Sequence, residues 1–75
     1  MIGDIRVLLE MIPFEPFSVV TSEGKEYFVA TSDHADISPT GNRFIIWFDD
    51  ESSVTIAGLH ITSIVKNPSP AESNP

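Results

Sequence analysis

The sequence contains no cysteine among its 75 residues. Disulfide bonds, thiol nucleophiles and thiolate metal sites are therefore excluded together. A chain of this length buries only about 60% of the surface that its unfolded form exposes, so its core is small. We expect a single domain that is stabilised by packing or by association with other chains.

Basic residues are also scarce. The chain has 4 Lys plus Arg against 11 Asp plus Glu, which gives a net charge of -7. Nucleic acids and anionic membranes are therefore unfavourable partners, because affinity for both depends on clustered Lys and Arg. No stretch approaches the ~20 apolar residues of a membrane span, and residues 1–12 lack the basic start of a signal peptide. These absences predict a cytoplasmic protein.

The N-terminal segment has the apolar spacing of one helical face. The residues on that face are Ile5, Leu8, Leu9 and Ile12. Asp4 is a suitable N-cap and Pro13 prevents continuation, so the pattern predicts a helix over about residues 4–12. A helix of about two turns is unstable alone and must pack against the rest of the chain.

About five short strands are predicted after the helix. Residues 17–21 and 26–30 form a hairpin with Gly24 at its turn, and later strands are centred on residues 43–48, 53–57 and 61–65, with a brief strand around residues 35–38 also compatible with the sequence. The predicted fold is mainly β: a short N-terminal α-helix followed by a five-stranded, strongly bent SH3-like or Sm-like barrel. The domain covers residues 1–66, and the Pro-rich residues 67–75 are predicted to be a disordered tail.

The most hydrophobic segment predicts an association surface. Alternation along a strand places Phe44, Ile46 and Phe48 on one face and Ile45 with Trp47 on the other. If the first face fills the core, the second is covered either by the helix or by another chain. We favour self-association into a homo-oligomer, with the elbow at residues 13–17 in or near the interface. The predicted interface residues are Ile45, Trp47, Phe14 and Phe17.

The order of the elements resembles the Sm-like fold, including its bacterial Hfq branch, over about residues 4–65. Residues 58–65 are similar to the end of Hfq, where a Lys-His pair precedes the last strand; His60 matches the His, but Leu59 stands in place of the Lys. Residues 19–25 are similar to the first Sm motif. The resemblance implies an RNA-binding ring in which His60 and Tyr27 of neighbouring subunits line the pore.

A second resemblance rests on residues 12–17, Ile-Pro-Phe-Glu-Pro-Phe. Together with a turn at residues 38–41 and the pair Asp49-Asp50, this segment resembles small bacterial proteins with a Pro-Phe-x-Pro-Phe signature. This resemblance implies no known activity for the chain. In such a motif each Pro fixes φ and blocks a helix, while Phe14 and Phe17 close the end of the predicted barrel.

Acidic residues and histidine cluster in two turns. Asp33, His34 and Asp36 lie close together in sequence, and residues 49–51 are all acidic. Oxygen and imidazole ligands can bind a metal, but the spacing matches no defined ligand motif. We interpret both clusters as solvated turns and predict no metal, since Asp is favoured in turns for its own hydrogen bonding.

No arrangement of residues predicts catalysis. A triad of Ser63, His60 and Asp36 can be written down, but no nucleophile-elbow motif surrounds the serine. The four Gly are isolated, which excludes a phosphate loop and a dinucleotide fingerprint, so no cofactor is predicted. His60 is either a ligand contact or a polar residue at a strand junction, and Tyr27 is a weak candidate for base stacking.

The sequence therefore favours a non-enzymatic interaction module that self-associates, with no identified protein partner. Two alternatives remain open: a degenerate Sm-like RNA-binding protein, and an acidic decoy that occupies a nucleic-acid-binding protein.

Overall fold

A computed structural model describes residues 1–66; the predicted disordered tail, residues 67–75, lies outside the described residues. Within these 66 residues, one helix, α1 (Ile2–Glu10), precedes six strands. The strands are β1 (Phe17–Thr21), β2 (Glu26–Val29), β3 (Ala35–Ile37), β4 (Arg43–Trp47), β5 (Ser53–Ala57) and β6 (Ile61–Lys66). Two 3-10 turns, Ser32–His34 and Gly58–His60, lead into β3 and β6.

The helix begins two residues earlier than predicted. Met1 is its N-cap and provides no side-chain hydrogen bond, so the prediction that Asp4 caps a helix over residues 4–12 is wrong. Asp4 lies instead in the first turn, where a carboxylate interacts favourably with the helix dipole. Ile5 and Leu8 are buried, as the apolar spacing predicted. Ile12, which the same spacing placed on the buried face, lies beyond the helix and is 96% exposed. Within residues 1–66, no helix is long and apolar enough to cross a membrane.

The six strands form two separate antiparallel sheets, in the orders β2-β1-β6 and β3-β4-β5. Phe17 lies opposite Val29 in the first sheet, and Phe44 lies opposite Ile56 in the second. The predicted five-stranded SH3-like or Sm-like barrel is therefore wrong: the described strands number six and do not close into a barrel.

The physical reason for two sheets lies between β2 and β3. In a bent barrel one long strand would pass from one sheet to the other, whereas here the chain leaves β2 at Val29 and enters the 3-10 turn Ser32–His34. The Thr31 hydroxyl accepts a hydrogen bond from the Asp33 amide at 3.2 Å, which caps that turn. The backbone here forms the hydrogen bonds of the 3-10 turn and not those of a continued strand, so β3 starts as a new strand.

The core lies between the two sheets and is closed by the helix. Its buried residues are Ile5, Leu8, Phe17, Val19, Val29, Ala35, Phe44, Ile46, Ile56 and Ile61. Phe44 and Ile46 are fully buried, so the predicted inner face of the strand at residues 43–48 is confirmed for these two residues. Phe48 lies beyond the end of β4 and is 36% exposed.

Candidate functional site

A cleft of about 330 Å³ lies between the β1–β2 hairpin and β5, at the gap between the two sheets. Its lining residues are Thr21, Ser22, Glu23, Tyr27, Val54, Thr55, Ile56, Ala57 and His60. Tyr27 and His60, which the sequence offers as separate weak candidates, thus line one concave surface. The lining combines three apolar residues of β5 with hydroxyl groups and an imidazole, and polar groups of this kind can fix the orientation of a ligand.

Thr21 lies at an irregularity in the sheet beside this cleft. The register of β1 with β6 shifts between Val20 and Thr21, so Thr62 has no residue directly opposite it. Such β-bulges often lie next to functional sites because they redirect a side chain. Thr21 is 8% exposed, and among residues 1–66 its Oγ1 has no hydrogen-bond partner. A buried hydroxyl left unpaired costs about 1–3 kcal/mol.

His60 joins the 3-10 turn before β6 to the β1–β2 hairpin. The Ser22 amide donates a hydrogen bond to the His60 carbonyl oxygen at 2.8 Å. The His60 Nδ1 lies 3.5 Å from the Ser22 Oγ, at the limit of a hydrogen bond. The residue is exposed, and the backbone bond holds its main chain beside the cleft.

The cleft is acidic. Within the described part of the chain, Glu23 is the only charged residue among those that line it. The four basic residues of the chain, Arg6, Lys25, Arg43 and Lys66, are all exposed and none of them lines the cleft. A phosphate group would meet a carboxylate there without a compensating cation, so the electrostatics disfavour anionic ligands.

β5 turns one unpaired edge away from β4. The hydrogen bonds that bracket the β4–β5 pairing run from Phe48 N to Ser52 O (2.8 Å) and from Gly58 N to Asn42 O (2.7 Å). Bonded and non-bonded pairs alternate along an antiparallel ladder, so Val54 and Ile56 direct their backbone groups to β4. Thr55 and Ala57 direct theirs to the free edge, and among the described strands none pairs with that edge.

The outer face of the β3–β4–β5 sheet carries the predicted interface pair. Ile45 is half-buried and Trp47 is 41% exposed. Asp36 and Thr55 lie opposite Ile45, and Ser53 lies opposite Trp47. The helix packs its buried side chains into the core on the other side of this sheet, so it leaves much of Trp47 accessible.

The other two predicted interface residues pack against each other. Phe17 is fully buried in the core, and Phe14 is half-buried beside it. Their ring centroids are 6.0 Å apart with an interplanar angle of 52°, a tilted arrangement favourable for aromatic pairs. Because its side chain is inaccessible in a folded copy, Phe17 has no surface left for a partner to contact.

His34 connects the two acidic turns. Its Nε2 lies 3.0 Å from the Asp49 Oδ1, and its Nδ1 lies 2.7 Å from the Thr31 Oγ1. The carboxylate can only accept, so Nε2 carries the proton in this bond. Among residues 1–66, no group of three or more His, Asp or Glu side chains comes together in a way that could bind a metal.

The pKa of Asp50, in the second acidic turn, is lowered from its ordinary value. The Ser52 hydroxyl donates to the Asp50 Oδ1 at 2.5 Å and is the main cause; the Ser52 amide, at 2.9 Å from the same oxygen, adds to it. The carboxylate therefore serves to hold the turn, which is the structural role that the sequence predicts for these acidic residues.

The residues of the hypothetical triad are not linked. Asp36 uses its Oδ1 to accept a hydrogen bond from the Ile37 amide at 2.7 Å. Asp36 lies on β3, whereas Ser63 lies on β6 of the other sheet. Within the described chain, no hydrogen bond joins Asp36, His60 or Ser63 to another member of the set.

Sequence reasoning missed Thr21 and the free edge of β5. Local amino-acid composition indicates neither a β-bulge nor the position of a strand within a sheet. No sequence signal therefore identified Thr21 or this edge.

Comparison of the chain with family models, curated proteins and solved structures gave no match.

Proposed function

We propose that the chain is a non-enzymatic interaction module that self-associates through the outer face of the β3–β4–β5 sheet. We call this surface the Trp47 face and define it by Ile45, Trp47, Ser53 and Thr55. The observation that supports the proposal is the exposure of Trp47, 41%, beside a half-buried isoleucine. Exposed aromatic residues on a sheet face are typical of protein interfaces.

The exposed part of Trp47 is large enough to matter. An aromatic side chain offers roughly 150–250 Å², so the exposed 41% corresponds to about 60–100 Å². Burying that area contributes about 1.5–2.5 kcal/mol per copy. In a twofold dimer both copies gain this amount, because the same patch is used on each side.

The size of the chain also supports association. A single domain of 75 residues has a small core, and domains of this size are often stabilised by a second copy. The net charge of -7 opposes close approach of two copies, so the interface needs an uncharged centre. Ile45, Trp47, Ser53 and Thr55 are all uncharged, with Asp36 at the side of the patch.

The experiment measures mass and tryptophan environment together. Trp47 is the only tryptophan of the chain, so its fluorescence reports directly on this face. From 1 to about 200 μM protein, we expect light scattering after gel filtration to give a mass above 8.2 kDa, and the emission maximum to move to the blue as concentration rises.

A matched pair of variants assigns the association to the face. Ser53→Glu places a carboxylate opposite Trp47, whereas Ser63→Glu places the same charge on β6 of the other sheet, where it is also exposed. We expect Ser53→Glu to weaken association about tenfold or more and Ser63→Glu to leave it nearly unchanged. A wild-type mass of 8.2 kDa at every concentration, with a constant emission maximum, would refute the proposal.

The two alternative functions, RNA binding and action as an acidic decoy, remain predictions. Tyr27 and His60 do line one cleft, but Glu23 is the charged group beside them and no Lys or Arg joins it. Phosphate recognition without a cation is unfavourable, so the geometry gives self-association the better support.

A further inference from the structure

We propose that the cleft between the β1–β2 hairpin and β5 binds an extended peptide segment that carries a Lys or Arg, and that this peptide adds as a strand to the free edge of β5. The proposed site is the backbone edge of β5 with the cleft beside it, whereas the Trp47 face is the outer surface of the sheet. Thr55 borders both surfaces, and strand addition does not require self-association.

The backbone of β5 presents unpaired groups at its free edge. Thr55 and Ala57 turn their N–H and C=O groups away from β4, which provides two donors and two acceptors along one edge. Four consecutive residues, 54–57, line the cleft, so the cleft follows the strand rather than a single side chain. Unpaired strand edges of this kind accept an additional strand through main-chain hydrogen bonds.

The cleft also has room for a side chain of an added strand. Ser22 and Tyr27 of the β1–β2 hairpin and His60 line it together with residues of β5, among them the apolar Val54 and Ile56. Side chains of an added strand alternate in direction, so one of them points into this space while its neighbours point to solvent. A volume of about 330 Å³ lies at the small end of ligand pockets, which suits one or two side chains of a peptide.

The charge of the cleft favours a basic ligand. Among residues 1–66, Glu23 is the only charged residue that lines the cleft, and the chain as a whole carries -7. An approaching basic peptide is therefore attracted at long range, and its Lys or Arg can pair with Glu23 at the site.

A second copy of this chain fits the cleft less well. Its basic residues within strands are Arg43, at the start of β4, and Lys66, at the end of β6. Neither strand places a basic side chain at its centre, and the net charge of each copy repels the other. These features favour a basic peptide from another protein as the occupant.

The experiment is an NMR titration of ¹⁵N-labelled protein at low salt. The probe is the capped peptide acetyl-Thr-Val-Lys-Val-Thr-amide, and the controls are the same peptide with Glu in place of Lys and one with N-methylated backbone amides. We expect the amide protons of Thr55 and Ala57 to move downfield and to exchange more slowly with solvent, with little change at Val54 and Ile56. The Glu peptide should bind several-fold more weakly and the methylated peptide should not bind.

Two variants test the backbone and the charge separately. Thr55→Pro removes an edge N–H, which edge strands tolerate, and should abolish binding; Ser53→Pro removes an N–H from the same edge outside the cleft and should not. Glu23→Gln should weaken binding of the Lys peptide by roughly two- to fivefold and should not weaken binding of the Glu peptide. The Glu23→Gln comparison stays decisive even if a proline variant fails to fold.

Three outcomes overturn the inference. Absence of shifts at millimolar peptide would exclude strand addition at β5. Equal binding of the Lys and Glu peptides would exclude recognition of a basic residue. Shifts of Thr55 and Ala57 that follow protein concentration without peptide would assign this edge to a second copy of the chain.

Discussion

Replacement of Thr21 by Val is expected to stabilise the fold. Thr21 is 8% exposed, and within residues 1–66 its Oγ1 has no hydrogen-bond partner. Removing the hydroxyl relieves a penalty of about 1–3 kcal/mol. The added methyl group contributes burial worth up to about 0.8 kcal/mol. Allowing for imperfect fit of the new methyl group, we expect a net gain of about 1–2 kcal/mol in the free energy of unfolding.

The assay is guanidinium-induced unfolding, followed by circular dichroism at one fixed protein concentration, because association also changes apparent stability. The denaturant concentration at the midpoint of unfolding should rise, while the m value, the slope of the free energy of unfolding against denaturant concentration, stays constant. Thr62→Val is the control, since the Thr62 hydroxyl donates to the Val20 carbonyl at 3.2 Å and its loss should cost up to about 1 kcal/mol. Destabilisation by Thr21→Val would refute the reasoning, because it would mean that the hydroxyl has a partner in the folded protein.

A Cβ at Gly58 would lie 2.7 Å from the Ile2 Cγ1, so Gly58→Ala should lower the free energy of unfolding, measured by thermal unfolding, by about 1–3 kcal/mol. A Cβ at Gly3 meets nothing within 4 Å, so Gly3→Ala should raise that free energy by up to about 1 kcal/mol. Changes of the same sign in the two variants would contradict this reasoning. Ser52→Ala should raise the pKa of Asp50 part of the way to its ordinary value, followed by NMR titration of the Asp50 carboxyl carbon. Because the pKa of Asp50 is lowered in the folded protein, its ionised carboxylate stabilises the fold at pH values above the ordinary aspartate range, and this stabilisation is lost as the pH falls through the lowered pKa. The Ser52→Ala variant should therefore lose less free energy of unfolding on acidification than the wild type. An unchanged titration of Asp50 would show that the hydroxyl bond is not the cause.

Local features of the fold follow from the sequence. The helix, the first hairpin and its turn were predicted, and Gly24 indeed has a positive φ of 83°. The burial of Phe44 and Ile46 follows from simple alternation. The helix start was misplaced because Ile2, not Asp4, fixes the first turn: its side chain packs against the backbone at Gly58, a contact between distant parts of the chain.

The arrangement of the sheets could not be predicted in the same way. Whether β2 and β3 form one bent strand or two depends on a few hydrogen bonds around Thr31 and Asp33, each worth about 1 kcal/mol. The candidate site shows the same limit. Tyr27 and His60 could be named individually, but their meeting across 33 positions depends on which strands pair, and the free edge of β5 exists only because β5 is last in its sheet.

The pairing of β1 with β6 has a consequence for how the chain folds. The sheet β3-β4-β5 is made from one continuous stretch, 35–57, with short hairpins, so its contacts can form early. In the other sheet, Phe17 must find Lys66 at the far end of the described chain. We therefore expect an intermediate length of nascent chain, ending near residue 60, to hold a complete second sheet and the β1–β2 hairpin while one edge of β1 still lacks its partner. During synthesis that edge is the part of the molecule most exposed to wrong pairing, and the arrival of β6 is the step that removes the risk.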